Sequence, residues 1–336
     1  MALGRDLAVA FMFLTRLPVR ASSPWQKDDL AASVVMFPIV GAVVGLIGAS
    51  AFAAAILLDL PALLAAMLAL AVMIGVTGAL HEDGLGDVAD GFGGGKSPAA
   101  KLRIMRDSAL GSYGTLALVL TVTIRSAALA ALAEPLTAVA GLVAAGALSR
   151  AAMPLAMTIM PQARSDGVAA TMGVPHPGRT AAAGLIALIL ACLCLPLDQA
   201  MIVTLAVAGA GALFLLLAAR QIGGVTGDVI GALQQITEIV ALLTLASLVG
   251  GTPTPLGSYP MDPWPVTDRT TWGDVVPFER RPEAPGRPSH RARNAHAASW
   301  RGSRGLTTRR RGRRRCRTAV VPGRGRSDGR GSNERR

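Results

Sequence analysis

Long apolar stretches alternate along the chain with polar gaps of two sizes. The apolar spans fall at about 33–58, 62–80, 109–133, 136–160, 180–197, 199–219 and 235–250, each close to the 17–25 residues that cross a bilayer as a helix. In hydrocarbon every backbone N–H and C=O must find its partner within the protein, which favours helices for spans of this kind. The pattern predicts an all-α, polytopic membrane bundle of about seven transmembrane helices. Short gaps at Asp59-Leu60-Pro61, Glu134-Pro135 and Asp198 alternate strictly with longer polar ones at 81–108, 161–179 and 220–234. The spans therefore form three tight hairpins whose turns share one side, with every long polar segment on the other. The Ala- and Gly-rich runs Gly41 to Ala55 and Ala138 to Gly146 suit close helix packing in lipid, where small residues let backbones approach. Ahead of the first span, Arg5 and Asp6 precede a short apolar run, Leu7 to Leu14, followed by Thr15-Arg16-Leu17-Pro18. That lacks a small-residue cleavage site and predicts an uncleaved, partly amphipathic N-terminal helix.

Composition sharpens this division. The 336 residues are 51% hydrophobic and only 16% charged, against about 25% charged in an average soluble domain. The formal charge of +12 is uneven: residues 1–250 hold 13 Lys+Arg and 14 Asp+Glu, whereas 251–336 hold 20 Arg, no Lys and 7 acids. In the first part Arg5, Arg16, Arg20, Lys27, Lys96, Lys101, Arg103, Arg106, Arg164, Arg179 and Arg220 all fall on the long-gap side and none in the short turns. The positive-inside rule then puts the long segments in the cytoplasm. Residues 251–336 lose apolar periodicity and are dominated by Pro, Gly, Arg and Ser, the composition of a disordered tail. Such a basic tract would suit nucleic acid, but the lack of Lys and an odd span count argue otherwise. The expectation is a frame-shifted or read-through C-terminus from a GC-rich gene, with no nucleic-acid partner. Cys192, Cys194 and Cys316 make neither a disulfide framework nor a zinc pattern.

Candidate chemistry concentrates at His81-Glu82-Asp83-Gly84-Leu85-Gly86-Asp87-Val88-Ala89-Asp90-Gly91, which sets four acids between two apolar segments. In a helix, Asp83, Asp87 and Asp90 stand at i, i+4 and i+7 on one face. Carboxylates held that close raise one another's pKa unless a cation sits among them, and oxygen-only ligands favour Mg²⁺, Mn²⁺ or Ca²⁺. The competing reading is a solvated acidic loop. Arg103 and Arg106 share a helix face at i, i+3, able to hold phosphates or anionic lipid headgroups. Arg164, in the turn-rich Pro161–Gly167 loop, can approach the same place. Gly223-Gly224-Val225-Thr226-Gly227-Asp228 opens the seventh span with a glycine-rich turn, and helix starts of this kind attract anions. Arg125 and Arg150 lie inside spans, where charge is expensive. Pairing with an acid such as Glu238 and a substrate role both stand open.

Three separated motifs carry a family resemblance: His81–Leu85 with Asp87, Asp90 and Gly91; Arg106-Asp107-Ser108 with Gly111-Ser112-Tyr113-Gly114; and Gly223–Asp228 with Gly231-Ala232 and Glu238. Together with Phe13-Leu14-Thr15-Arg16-Leu17-Pro18 and the Ala163–Gly167 loop, they resemble the cobalamin synthase family, over residues 1 to about 250 and not the tail. Family members usually have Ala where this chain has Gly86, and Arg-Ile where it has Ala109-Leu110. The resemblance implies an adenosylcobinamide-GDP ribazoletransferase of the bacterial inner membrane, with its site facing the cytoplasm. In that reaction a ribose hydroxyl of α-ribazole, or of its 5′-phosphate, attacks the cobinamide-bearing phosphoryl group of adenosylcobinamide-GDP, and GMP leaves. Cleaving a pyrophosphate calls for a metal, so Mg²⁺ is expected on Asp83, Asp87 and Asp90. Arg103, Arg106, Asp107, Arg164, Gly223, Gly224, Thr226, Asp228 and Glu238 are the expected substrate contacts. His81 is the expected general base, with helix capping or orientation of Asp83 as its alternative roles. Rival readings are a CDP-alcohol-type phosphotransferase, whose Ala-Arg step is absent after Gly84, and a secondary transporter lined by Arg125, Arg150 and Glu238. Oligomeric state stays open.

Overall fold

A computed structural model of the chain describes residues 2–20, 27–107, 109–132, 134–165 and 173–249, all within the first of two compact units. The expected disordered tail, Ser108 and the Asp166-Gly167 end of the loop lie outside the described residues. The helices are α1 (Ala2–Leu14), α2 (Lys27–Ser33), α3 (Phe37–Leu57, after a 3-10 turn), α4 (Ala62–Thr77), α5 (Leu80–Gly94), α6 (Pro98–Ile104), α7 (Ser112–Ala131), α8 (Pro135–Ile159), α9 (Pro177–Cys194), α10 (Leu197–Ile222) and α11 (Gly227–Val249). Among the described residues there is no strand, only an isolated bridge between Gln162 and Val225. Six helical stretches are long and apolar enough to cross a membrane, and the bent pair α4–α5 brings the number to seven. The all-α polytopic reading therefore holds, and α1 is the N-terminal helix the sequence predicts.

The short gaps between spans stop and start helices. Glu134 caps α8, one carboxylate oxygen accepting from Leu136 N at 2.9 Å and the other from Thr137 N at 2.6 Å, and Pro135 follows at the first helical position, where a missing N–H costs nothing. Pro61 and Pro196 occupy the N-cap positions of α4 and α10, and Asp198 lies in the first turn of α10, where a negative charge is favoured by the helix dipole.

At the centre stand α3, α8 and α11. A Cβ at Gly41 would strike the carbonyl of Gly146, and one at Gly146 would strike the carbonyl of Gly41. The Gly/Ala runs thus let α3 and α8 cross backbone to backbone. Helix α11 is packed by α5, α7, α8 and α10. Its start corrects the sequence reading: the seventh span begins at Gly227, not residue 235, and 220–234 is the end of α10, a four-residue turn and two turns of α11. Hydropathy missed the first two turns because Gly227, Asp228, Gly231 and Gln234 lower their apolar average, although Gln234 is fully buried with partners inside the bundle.

The second break in regularity sets the site. Between α4 and α5 both Gly78 and Ala79 are left-handed, with φ of 67° and 57°, and the helices meet at 93°. A β-carbon makes such a φ costly for Ala79. The N-terminal Thr15-Arg16 step braces this corner: Arg16 N donates to Val76 O at 2.7 Å, and the Arg16 side chain lies against Gly78, where a Cβ would collide with it. The bend turns α5 out of the line of α4.

Candidate active site

The bend lays α5 across the start of α11. A Cβ at Gly84 would stand 2.8 Å from Asp228 O and 3.1 Å from Asp228 Cα, so only glycine permits this crossing. A pocket of about 160 Å³ opens there, lined by His81, Asp83 and Gly84 of α5, Gly227, Asp228, Ile230 and Gly231 of α11, and Phe13, Leu80, Met153 and Arg164. The 161–165 loop is fastened beside it: Val225 N donates to Pro161 O and Ala163 N to Val225 O, both at 2.9 Å. Gly223 closes α10, Gly224 lies against the Pro161 carbonyl, and Thr226 accepts from Val229 N at 3.2 Å in the manner of an N-cap. Thr226 Oγ1 and Arg164 Nη2 each donate to Asp228 Oδ2 at 3.2 Å. His81, Asp83, Arg164 and Asp228 thus line one pocket, with Thr226 bonded to Asp228 and Asp87 close enough to feel the charges of Asp83, Asp228 and Arg164.

Residues 81–91 are helical, and Asp83 is exposed while Asp87, one turn on, is half-buried. Burial first, then the charges of Asp83, Asp228 and Asp90, push the Asp87 carboxyl up to about 7, with Arg164 acting the other way. Asp90 corrects the predicted three-carboxylate face. It is buried, and its oxygens accept from Gly111 N at 2.7 Å and Gly114 N at 2.9 Å, satisfying N–H groups at the start of α7 that have no partner inside that helix. Asp228, reaching in from α11, is the carboxylate that lines the pocket with Asp83. Among the described residues no three His, Cys, Asp or Glu side chains converge closely enough to hold a metal by themselves. The donor set still suits Mg²⁺, because Asp83, Asp87 and Asp228 face a single guanidinium, and a Mg²⁺ site shared with substrate phosphates needs only one or two carboxylates. His81 is 1% exposed, and its Nε2 has no hydrogen-bond partner among the described residues. It does not cap α5, whose N-cap position is Ala79 without a side-chain cap bond.

Behind the pocket, the intramembrane arginines close on acids. Arg125 donates to Glu82 at 3.2 Å and Gln235 at 2.9 Å and pairs with Glu238; Arg150 donates to Glu238 at 3.1 Å. Gln235 links Glu82 at 3.1 Å to Gln234 at 2.9 Å. The ion-pair alternative for Arg125 and Arg150 is the one realised. Glu238, expected at the substrate, is 1% exposed within this network and does not line the pocket.

The basic segment differs too. α6 ends at Ile104, so Arg106 falls in the following turn and does not share a helical face with Arg103. Both are exposed, and neither lines the pocket. Asp107 Oδ1 accepts from Ala109 N at 3.2 Å, a local turn bond. At the Gly86 departure, a Cβ would stand 3.1 Å from Leu110 Cδ1, so glycine there makes room for Leu110. Sequence reasoning did not single out Met153 or Ile230 as pocket residues; only Phe13, inside the N-terminal motif, carried a signal.

The sequence profile of the cobalamin-5-phosphate synthase family matches residues 6–246. Curated relatives named adenosylcobinamide-GDP ribazoletransferase include one from Bradyrhizobium diazoefficiens, 44% identical over 247 residues that cover 73% of this chain and 95% of the relative. Another from Mesorhizobium japonicum is 45% identical over 238 residues, 71% of this chain and 91% of its own. A third, from Azorhizobium caulinodans, is 42% identical over 247 residues, 71% and 94% of the two chains. No solved structure matches significantly.

Proposed function

The chain belongs to the cobalamin-5-phosphate synthase family, and we propose that the pocket between α5 and α11 is where it carries out adenosylcobinamide-GDP ribazole transfer with the help of Mg²⁺. The observation that carries this reading is the charge of the lining: among the described residues that line the pocket, Asp83 and Asp228 stand with one cation, Arg164, beside a glycine-built helix start, and Asp87 lies near enough to feel all three charges. A bound Mg²⁺ would neutralise charge on the bridging and leaving oxygens of the diphosphate. Asp83 and Asp87 would hold it, with Asp228 opposite. Arg164 and the first N–H groups of α11 would hold phosphate oxygens. The attacking ribose hydroxyl of α-ribazole, or of its 5′-phosphate, forms the new bond to the cobinamide-bearing phosphorus as the bond to GMP breaks. His81 Nε2 would accept a hydrogen bond from that hydroxyl; burial first, then the charge of Arg150, lowers its pKa to about 3, so it is too weak a base for the expected general-base role and the proton passes to water. Asp90 positions the site through α7, and Arg103 and Arg106 are proposed as outer contacts to phosphate or lipid headgroups. The distribution of Lys and Arg supports a pocket facing the cytoplasm from the inner membrane.

The test is an assay on membranes carrying the full chain with Mg²⁺, adenosylcobinamide-GDP and α-ribazole, with corrinoid product and GMP separated by chromatography. Equal yields of both, abolished by chelator, are expected. Product formation that survives chelation would overturn the metal-dependent reading, and no product from folded, inserted protein would overturn the assignment of the pocket.

A further inference from the structure

Arg164 uses half of its donor fork. Nη2 donates to Asp228 at 3.2 Å, while Nη1 is buried with no hydrogen-bond partner among the described residues. Asp228 is equally one-sided: Thr226 and Arg164 both bond to Oδ2. The pair is only partly exposed, 14% and 21% for the two side chains, and it lies in the same pocket as the unpartnered Nε2 of His81, a second polar atom left for a ligand. The backbone just before each member of the pair is tied to the other by the Pro161–Val225 and Val225–Ala163 hydrogen bonds.

Charge logic gives this arrangement a consequence. A divalent cation among Asp83, Asp87 and Asp228 would repel a guanidinium held on Asp228, and the guanidinium would repel the cation, so the two compete for one carboxylate. A phosphate matches the fork better than a shared carboxylate oxygen does, because it can accept both parallel N–H groups. We propose that Arg164 is a place-holder for the metal: it neutralises Asp228 while the pocket is empty, transfers to an arriving phosphate, and so makes metal and phosphate load together. This rests on the metal-dependent reading above and adds to it an order imposed by one side chain.

The full chain in detergent, titrated with Mn²⁺ and followed by the paramagnetic resonance of the free ion, reads the competition without turnover. Arg164→Gln is expected to bind Mn²⁺ alone about five- to tenfold more tightly than wild type, the scale of a partly exposed ion pair. Arg164→Lys, which keeps the charge, is expected to bind Mn²⁺ alone as wild type does, and this controls for loss of fold. Inorganic phosphate should tighten Mn²⁺ binding in the wild type and leave Arg164→Gln unchanged; adding Asp228→Asn to Arg164→Gln should erase the gain. Equal or weaker Mn²⁺ binding by Arg164→Gln, or a phosphate effect that survives in it, would overturn the place-holder role. If Asp83→Asn abolishes binding while Arg164→Gln alters nothing, only this inference falls. If the wild type itself shows no saturable Mn²⁺ site, the metal-dependent reading falls with it.

Discussion

Glu82 and Asp83 are neighbours on α5, yet their carboxylates belong to clusters that follow opposite rules. Glu82 turns inward to Arg125 and Gln235, joining Glu238 and Arg150; two acids meet two arginines, and all four are 8% exposed or less. Asp83 turns to the pocket, where with Asp87 and Asp228 it faces one arginine. Charge taken out of water has to be matched or the fold fails. Charge left unmatched at an opening is tolerable because water reaches it, and it becomes an attraction for a cation. The balanced cluster therefore holds α5, α7, α8 and α11 together, and the unbalanced one is where we propose the chemistry. The balance is in charge more than in bonding: Glu82 Oε2, Arg125 Nε and Arg150 Nε have no hydrogen-bond partner among the described residues, so no member can be lost cheaply.

The comparison can be broken from either side. The largest effect is expected at Asp83→Asn, which removes a charge proposed to hold the metal from an exposed position and should cut turnover on the order of 1,000-fold with no loss of thermal stability in detergent. Next comes Glu238→Leu, which strips Arg150 of its acid and leaves Arg125 with Glu82; it should destabilise the bundle by about 3–5 kcal/mol, seen as loss of folded, membrane-inserted protein.

A smaller effect follows from the raised Asp87 carboxyl. Below about pH 7 this group holds a proton that a metal must displace. Apparent metal affinity should therefore fall as pH drops through that value, by up to about tenfold per unit for a single proton, and level off above it. Asp87→Asn should flatten the dependence in a Mn²⁺ titration. Smallest is Asp90→Asn. A neutral amide still has one oxygen to accept with but loses the second acceptor toward α7, so a destabilisation of about 1–2 kcal/mol and a loss of activity well short of that at Asp83 are expected. Equal losses at the two positions would return Asp90 to the metal site.

The sequence carried the membrane architecture because span length, short proline-bearing turns and Gly/Ala runs are local properties. It also marked the acidic helix, since spacing along one helix fixes which residues share a face. What it could not carry were relations between distant segments. Asp90 sits at the right spacing for a triad, but the unpaired N–H groups of Gly111 and Gly114 claim it. Gln234 falls in a polar gap to a hydropathy sum, although its bonds to Ser149, Glu238 and Gln235 make it interior. Arg103 and Arg106 have helical spacing, and α6 stops between them. Asp228 was visible as a residue of the glycine turn, but its meeting with Asp83 and Asp87 depends on the Gly78–Ala79 corner, whose 93° bend no local pattern announces.

The most direct measurement sets the two neighbours side by side: Glu82→Gln and Asp83→Asn in the full chain, each with a thermal melt and a transfer assay scored per folded molecule. Glu82→Gln should melt several degrees lower while its folded fraction keeps turnover within about threefold of wild type, the expectation for a residue whose work is structural. Asp83→Asn should melt as wild type does and make no measurable product. A stable, inactive Glu82→Gln beside an unstable Asp83→Asn that keeps its activity when folded would contradict the division of the two clusters.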